Sequence, residues 1–304
     1  MLRMSSLVVA TLLAFCALPA VAGTPINQTH ALSPTGEVHV ENIKGRIVVR
    51  TWSRPEVRIT GTLGKGAEKL EVRGDSGSVD IAVKYPHLRG GWNFWGRSDS
   101  GEPTLLEVTI PQRASLDVEA VSADVDVQQM AGKRLSVSSV SGRIEVTASS
   151  PGEADLENVS GDILAKITTP RAQVESVSGD VQLQGGLDGE VSVETVSGDV
   201  DLVARSLSQL KLSSVSGDIT ARAALRPDAE VEGETLSGAL TLHLPRATSA
   251  SLHVETFSGD IDSPAGKVHR EEHGPGKSLD ARIGDGRGEI KLESFSGDVR
   301  VVLD

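Results

Sequence analysis

The sequence predicts an all-β fold, a β-solenoid (β-helix) with about 19 residues in each coil. Three observations lead to this prediction. Apolar and polar residues alternate along most of the chain, as half-buried strands require. Aromatic residues make up only 3% of the chain, whereas glycine is frequent. A short motif, Val-Ser-Gly-Asp, recurs at nearly constant spacing, which is typical of repeat architectures.

Residues 1–22 have the pattern of an export signal. Arg3 supplies the positive charge, LVVATLLAF forms a short apolar segment, and Ala-Val-Ala before Gly23 provides a small-residue cleavage site. A lipoprotein signal that uses Cys16 is the alternative, but bulky Phe15 stands where that signal has a small residue. The sequence therefore predicts an exported protein, either periplasmic or extracellular.

Removal of this signal would take away Arg3 and the only cysteine, so the net charge would change from −12 to −12 − 1 = −13. Without a thiol no disulfide can form, and stability must come from the fold itself. An acidic chain is a poor match for nucleic acid, which needs a basic face. We expect no transmembrane segment, because no second apolar stretch is long enough to cross a bilayer. We also expect no cofactor.

The turn glycines mark the repeat. Successive glycines lie 19, 18, 19, 19, 21, 21 and 38 residues apart, and the last step fits two coils with one degenerate turn. Ala123 takes the glycine position one step earlier, and Gly45 fits the same template. A period of about 19 residues suits one solenoid coil and is too short for a helix pair or a propeller blade. The marker glycines are Gly142, Gly161, Gly179, Gly198, Gly217, Gly238, Gly259 and Gly297.

The repeat divides the chain into a signal peptide at 1–22, a lead-in at 23–35 and a single β-solenoid domain at 36–304. Two segments without the motif, at about 85–103 and 263–289, are expected to be insert loops.

One coil can be followed around Gly198. Val191 and Val193 share a face, and a shift of parity at Glu194-Thr195 is expected to turn Val196 inward as well. Ser-Gly-Asp then turns the corner, Val200 and Leu202 begin the next face, and Leu207 and Leu210 supply a third side.

Stacked coils convert sequence positions into columns of side chains about 4.8 Å apart. The column two residues before the glycine is apolar and is expected to form a core spine. The column one residue before it is serine, whose hydroxyl is expected to bond to turn backbone groups. The apolar column contains Val121, Val140, Val159, Val177, Val196, Val215, Leu236, Phe257 and Phe295.

Two further columns are acidic. Like charges about 4.8 Å apart repel by roughly 1 kcal/mol in water, so these columns must be solvated or neutralised. They could form a stripe that binds divalent cations or a cationic surface, but aspartate also suits turns, and calcium wants about six to eight oxygens. The weak candidates for metal ligands are Asp162, Asp180, Asp199 and Asp218, which follow the glycines; Glu157, Glu175 and Glu194 belong to the second column.

The first insert loop holds Trp92, Phe94 and Trp95 between glycines and arginines. Exposed aromatic side chains suit a sugar, a partner pocket or a membrane surface, which makes these three residues the candidate partner-binding site. The alternative is a loop that caps the first coils and covers an open sheet edge.

The second insert contains His269 and His273 in an H-x-x-E-H pattern. This zinc pattern requires a helix that brings both histidines onto one face. Because flanking glycines leave little room for such a helix, a charged surface loop is favoured, and no catalytic or metal site is expected here.

The run of VSGD motifs behind an export signal resembles the bacterial "putative adhesin" family, exported domains of unknown function related to head-GIN domains. The resemblance covers roughly residues 36–304. It implies a right-handed β-solenoid at the cell envelope, and it supplies no active-site residues.

The sequence thus favours a non-enzymatic cell-envelope protein, a rigid scaffold that binds an envelope protein or a glycan. Self-association is compatible with this scaffold, because solenoid ends need covering. A polysaccharide-active β-helix enzyme and a divalent-cation-binding envelope protein are the alternatives.

Overall fold

A computed structural model describes residues 23–86, 102–272 and 274–304. The described residues form strands, turns and bends without a helix, which confirms the all-β class. Accordingly, this part of the chain has no helix long and apolar enough to span a membrane.

The strands fall into three groups along the chain. The N-terminal strands are β1 (Thr24–Ala31), β2 (Glu37–Trp52), β3 (Glu56–Leu63), β4 (Lys69–Gly74), β5 (Ser78–Lys84) and β6 (Thr104–Pro111). The central strands are β7 (Ser115–Gln128), β8 (Arg134–Ser141), β9 (Ile144–Ser149), β10 (Glu153–Ser160), β11 (Ile163–Ser178), β12 (Val181–Ser197), β13 (Val200–Ser216), β14 (Ile219–Thr235) and β15 (Leu240–Leu244). The C-terminal strands are β16 (Ala250–Thr256), β17 (Ile261–Asp262), β18 (His269–Arg270), β19 (Lys277–Ile283), β20 (Gly288–Ser294) and β21 (Val299–Leu303).

The central strands stack in parallel, one coil upon the next. Leu156 of β10 lies beside Val137 on one side and Val174 on the other, so its partners come from the preceding and the following repeat of the sequence. The same pairing continues from β11 to β14, with in-register partners on each side. This arrangement is solenoid-like, and each coil donates its backbone hydrogen bonds to a neighbouring coil.

The core fills the inside of the coils with aliphatic side chains. Along β12, Val191, Val193 and Thr195 are buried, while Ser192 and Glu194 between them are half-buried. The alternation continues without interruption up to the corner, as strand geometry dictates.

The expected core spine is therefore wrong. Thr195 points inward and is 5% exposed, whereas Val196 points outward and is 45% exposed. No shift of parity occurs at Glu194-Thr195, and the whole apolar column lies on the outer surface. We call this column, together with its N-terminal counterpart Ile43, the apolar ridge; its members, 43% to 54% exposed, are Ile43, Val121, Val140, Val159, Val177, Val196, Val215, Leu236, Phe257 and Phe295.

At most corners of the described chain, the buried polar residue three places before the glycine bonds to a turn carbonyl; Ser139 and Thr195 occupy the same position without a hydrogen-bond partner. The hydroxyls of Ser176 and Ser214 each donate to the carbonyl of the glycine three residues later, at 3.2 Å. Asn158 donates through Nδ2 to the carbonyls of both Gly142 and Gly161, at 2.8 Å each, and so joins two coils. These bonds satisfy carbonyl groups that the turn removes from the strand ladder.

The serine one place before the glycine does not have the role expected for the column as a whole. Ser141, Ser160, Ser178 and Ser197 are exposed. Only Ser258 within the described column donates to a backbone group, the carbonyl of Phe295, at 3.4 Å. The inward-pointing residue two places earlier reaches the turn carbonyl, because the corner bends the backbone around it.

Glycine is favoured at the corner because neighbouring coils approach closely there, although Ala123 takes this position in one coil. A Cβ atom on Gly179 would lie 2.3 Å from the carbonyl oxygen of Gly161 in the adjacent coil, and Gly179 has φ +143°. Side chains rarely tolerate either condition.

The coils do not follow one another strictly in sequence order at the N-terminal end. β2 pairs in parallel with β7 on one side and with both β5 and β6 on the other. The coil formed by β5 and β6 therefore lies outside β2, although it comes later in the chain. Beyond it, β1, β3 and β4 pair in antiparallel fashion and cover this end, and β1 lies within the predicted lead-in 23–35.

The C-terminal end shows the same exchange of order. β20 lies between β14 and β16, and β21 lies between β15 and β17. The last coil of the chain, formed by β20 and β21, therefore lies between the two coils that precede it in sequence. The 38 residues between Gly259 and Gly297 do not form two stacked coils, as the spacing had suggested. The segment 263–289 instead includes β18 and β19, and β19 runs antiparallel to β16 as an outer cover.

We expect Asn158→Ala to lower the free energy of unfolding by about 1–3 kcal/mol, because two carbonyls in adjacent coils lose their donor. The matched control is Ser139→Ala in the neighbouring coil. The Ser139 hydroxyl is buried and has no hydrogen-bond partner among the described residues, so its removal should change stability little. Urea unfolding measures both; an equal loss in the two variants would contradict the corner role of Asn158.

The inserted coil can be tested by disulfide formation, with Cys16 replaced by alanine. Glu234 and Glu293 are in-register neighbours, so their Cα atoms lie about 4.8 Å apart, within the range for a disulfide. Glu255 lies one coil further out, about 10 Å from Glu234. We expect Glu234→Cys/Glu293→Cys to cross-link under mild oxidation and Glu234→Cys/Glu255→Cys to remain reduced. A sequential stack of coils would give the reverse result on a non-reducing gel.

Candidate functional site

The candidate site is the apolar ridge together with the acidic column beside it. Both columns lie on one outer face of the parallel sheet, because residues two apart in a strand point the same way. The acidic column, which we call the acidic ladder, stands two residues before the ridge. Its members are Glu41, Glu119, Glu157, Glu175, Glu194, Glu234, Glu255 and Glu293.

Strand register places the ladder carboxylates in single file. Glu157 pairs with Glu175, and Glu175 pairs with Glu194, in consecutive coils. Ser138 and Ser213 occupy the same column and interrupt the row of charges. The ladder continues across the inserted coil, where Glu293 lies between two of its members.

An open groove follows the two columns. Its longer section encloses about 840 Å³ and extends from Glu41 and Ile43 to Val215. A second section of about 580 Å³ continues the groove to Phe257 and Phe295. One wall is thus carboxylate and hydroxyl, and the other is aliphatic or aromatic.

The ridge ends in an aromatic pair. Phe257 and Phe295 lie in neighbouring coils, and their rings stack with centroids 5.0 Å apart and planes 9° from parallel. Lys277 is in this section of the groove and donates to the Gly259 carbonyl at 2.8 Å and to the Asp260 carboxylate. This ion pair lowers the pKa of Asp260 below its usual value.

Some ladder carboxylates already have a cationic neighbour. Lys211 lies 2.7 Å from Glu194, and Lys291 lies 2.7 Å from Glu293. Within residues 23–86, 102–272 and 274–304, no Lys, Arg or His nitrogen lies within 4.0 Å of the carboxylate of Glu157 or Glu175. Glu175 accepts a hydrogen bond from Gln173 Nε2 at 2.8 Å, and Glu157 accepts one from the Ser138 hydroxyl at 3.4 Å. The middle of the ladder therefore has neutral donors but no ion-pair partner among the described residues.

Two histidines lie beside the ladder. His253 is 2.7 Å from Asp280 and 3.1 Å from Glu255; the hydrogen bond with Asp280 is the main reason why the pKa of His253 is raised. Burial alone would lower the pKa of His39, but hydrogen bonds with Glu41 and Asp117 raise it above the usual value.

Only one group of described side chains has the closeness that a metal site requires. Ligand atoms of His39, Asp117 and Glu119 lie within 4.8 Å of one another. The group lies partly exposed at the N-terminal end of the ladder, and exposed acidic groups are common without a bound ion.

The structure gives the four aspartate candidates a structural role. One carboxylate oxygen of each accepts the backbone N–H of the residue at the same position in the next coil, at 2.8 to 3.4 Å. These residues, all exposed, are Asp162, Asp180, Asp199 and Asp218. The bonds supply a partner for an N–H group at the corner, and cation binding by this column stays a prediction.

The predicted partner-binding residues, Trp92, Phe94 and Trp95, lie outside the described residues. His273 of the second insert lies outside them as well. The chain leaves the described part at residue 86, just after Tyr85, whose hydroxyl donates to Asn42 Oδ1 at 3.2 Å. Asn42 precedes Ile43 of the ridge, so the first insert begins beside the ridge's N-terminal end.

Sequence reasoning missed the ridge as a surface. The signal was present, because uninterrupted alternation from Val193 puts Thr195 inside and Val196 outside. The apolar character of the column suggests a core position, whereas its place in the alternation along the strand puts it on the surface.

A family model described as Toastrack DUF4097 matches the chain twice, over residues 24–230 and 80–302. No curated protein matches the sequence significantly.

Three solved structures are similar in part. A "putative adhesin" from Bacteroides fragilis is 12% identical with a TM-score of 0.42, covering 93% of this chain and 99% of that one. A "putative adhesin" from Parabacteroides merdae is 9% identical with a TM-score of 0.41, covering 92% and 97%. A "putative cell adhesion protein" from Clostridium sporogenes is 9% identical with a TM-score of 0.29, covering 92% and 100%.

Proposed function

The chain belongs to the Toastrack DUF4097 family, and from this premise we propose that it is a non-enzymatic scaffold of a bacterial cell envelope that binds a partner along the apolar ridge. The observation that carries the proposal is the exposure of ten apolar side chains in one continuous column.

An exposed apolar surface of this extent indicates a site of interaction with a partner. Single exposed apolar side chains are ordinary, but a contiguous patch on a soluble protein is costly and marks a binding site. Ten side chains at about 4.8 Å spacing extend over about 43 Å. Neither the core nor the corner hydrogen bonds need a valine at these positions.

The chemistry of the surface supports binding rather than catalysis. Aliphatic and phenyl side chains cannot act as acids, bases or nucleophiles, and the carboxylates beside them repeat from coil to coil. The alternative of a cation-binding role for the aspartate column is less favoured, because those carboxylates already accept backbone hydrogen bonds. An envelope protein suits an aliphatic ridge better than a glycan does, since sugars stack on aromatic faces.

The architecture and location belong to the same proposal. We propose a right-handed solenoid with about 19 residues per coil. The in-register pairing of strands from successive repeats supports this coil size. The proposed divisions are a signal peptide at 1–22, the lead-in 23–35 and one domain at 36–304. The export pattern before Gly23 supports a periplasmic or extracellular location.

Photocrosslinking in the producing bacterium tests the ridge as a binding surface. A photoreactive amino acid at Val177 should give a discrete crosslinked species, and Val159→Ser/Val196→Ser should remove it. The control position is Val203, which is 44% exposed and lies off the ridge. The same product from both positions, or none from Val177, would contradict the proposal.

A further inference from the structure

We propose that the partner of the apolar ridge is a cationic amphipathic α-helix that lies lengthwise in the groove. This inference rests on the proposed function and adds the charge and the conformation of the partner.

The positive charge of the partner follows from the ladder carboxylates that form no ion pair with the described residues. Glu157 and Glu175 stand in adjacent coils beside Val159 and Val177, and the described residues place no cationic nitrogen within 4.0 Å of either carboxylate. Lysine or arginine side chains along one edge of a bound segment would relieve the repulsion between these carboxylates. The pairs that Lys211 and Lys291 form show the contact that such residues would make.

The helix follows from the spacing of the ridge. Ridge side chains repeat about every 4.8 Å, and a helix presents one side of itself about every 5.4 Å. An extended chain presents the same side only about every 6.7 Å. A helix therefore differs from the coil spacing by about 0.6 Å per step, against about 1.9 Å for an extended chain. Its own hydrogen bonds also satisfy its backbone on a sheet face that offers none.

Charge also decides between a helix and other occupants. A second copy would bring the acidic columns of two chains together, in a protein whose net charge is −12. An anionic membrane surface would be repelled by the same ladder. A cationic segment is the occupant whose charge matches.

The length of the groove sets the length of the partner. Ten ridge residues extend over about 43 Å, which corresponds to a helix of about 28 residues.

Synthetic peptides of about 28 residues test the inference against the signal-free protein. The first peptide carries leucine along one helical face and lysine on both flanks of that face. A second has glutamate in place of lysine, and a third has proline at two central positions. Fluorescence anisotropy measures the dissociation constants at low and physiological salt.

We expect the lysine peptide to bind and the glutamate and proline peptides to bind at least tenfold more weakly. Val159→Ser/Val177→Ser/Val196→Ser should weaken binding of the lysine peptide at least tenfold. Glu157→Gln/Glu175→Gln should weaken it roughly three- to tenfold, with a smaller effect at higher salt.

Two control variants leave the groove intact. Val203→Ser removes an exposed valine elsewhere. Glu230→Gln/Glu289→Gln removes two carboxylates that are neighbours in adjacent coils, about 20 Å along the strand from the ridge. Both should bind the lysine peptide as the unmodified protein does, and all variants should keep its melting temperature within a few degrees.

The outcomes separate this inference from the proposed function. Equal binding of the lysine and glutamate peptides through the ridge would overturn the cationic partner while leaving the ridge as a binding surface. Equal binding of the proline peptide would overturn the helix. Absence of binding by the lysine peptide would overturn the inference, and the crosslinking from Val177 would still decide whether the ridge binds a partner.

Discussion

The corner at each glycine is the constraint on which the structure depends. Neighbouring coils approach so closely there that a Cβ atom would collide with the next carbonyl, as at Gly179. The turn also takes backbone groups out of the strand ladder. At most corners an inward Ser, Thr or Asn donates to the glycine carbonyl, and an outward aspartate accepts an N–H of the next coil. The glycine, the inward polar residue and the aspartate of the repeat thus have roles in the corner, whereas the exposed apolar residue before the serine has none there.

Alternation and spacing were sufficient to predict the all-β class and the stacking of repeats. They could not give the order of coils at the ends, because β2 and β20 have the same pattern as any central strand. Insertion between two earlier coils depends on antiparallel hairpins such as β16 with β19. Their register is set by contacts distant in sequence, which a local pattern does not record.

The ridge was misassigned for a different reason. A column of valines suggests a core when hydrophobicity is considered alone, and Thr195 suggests a surface. Strand geometry reverses both assignments. At Ser176, Ser214 and Thr235 a hydrogen bond to the glycine carbonyl accounts for the buried polar residue at this position, whereas the Thr195 hydroxyl has no partner among the described residues. The ladder and ridge become one surface only after this correction, with carboxylates on one side that also discourage unintended pairing of ridges.

The orientation of two consecutive residues is the central claim, and thiol labelling measures it directly. With Cys16 replaced, the Thr195→Cys and Val196→Cys variants are each treated in the native state with a water-soluble maleimide. The structure predicts rapid labelling at 196, where the side chain is 45% exposed, and protection at 195, where it is 5% exposed. Protection at 196 with rapid labelling at 195 would place the valine column in the core and contradict the account of the ridge.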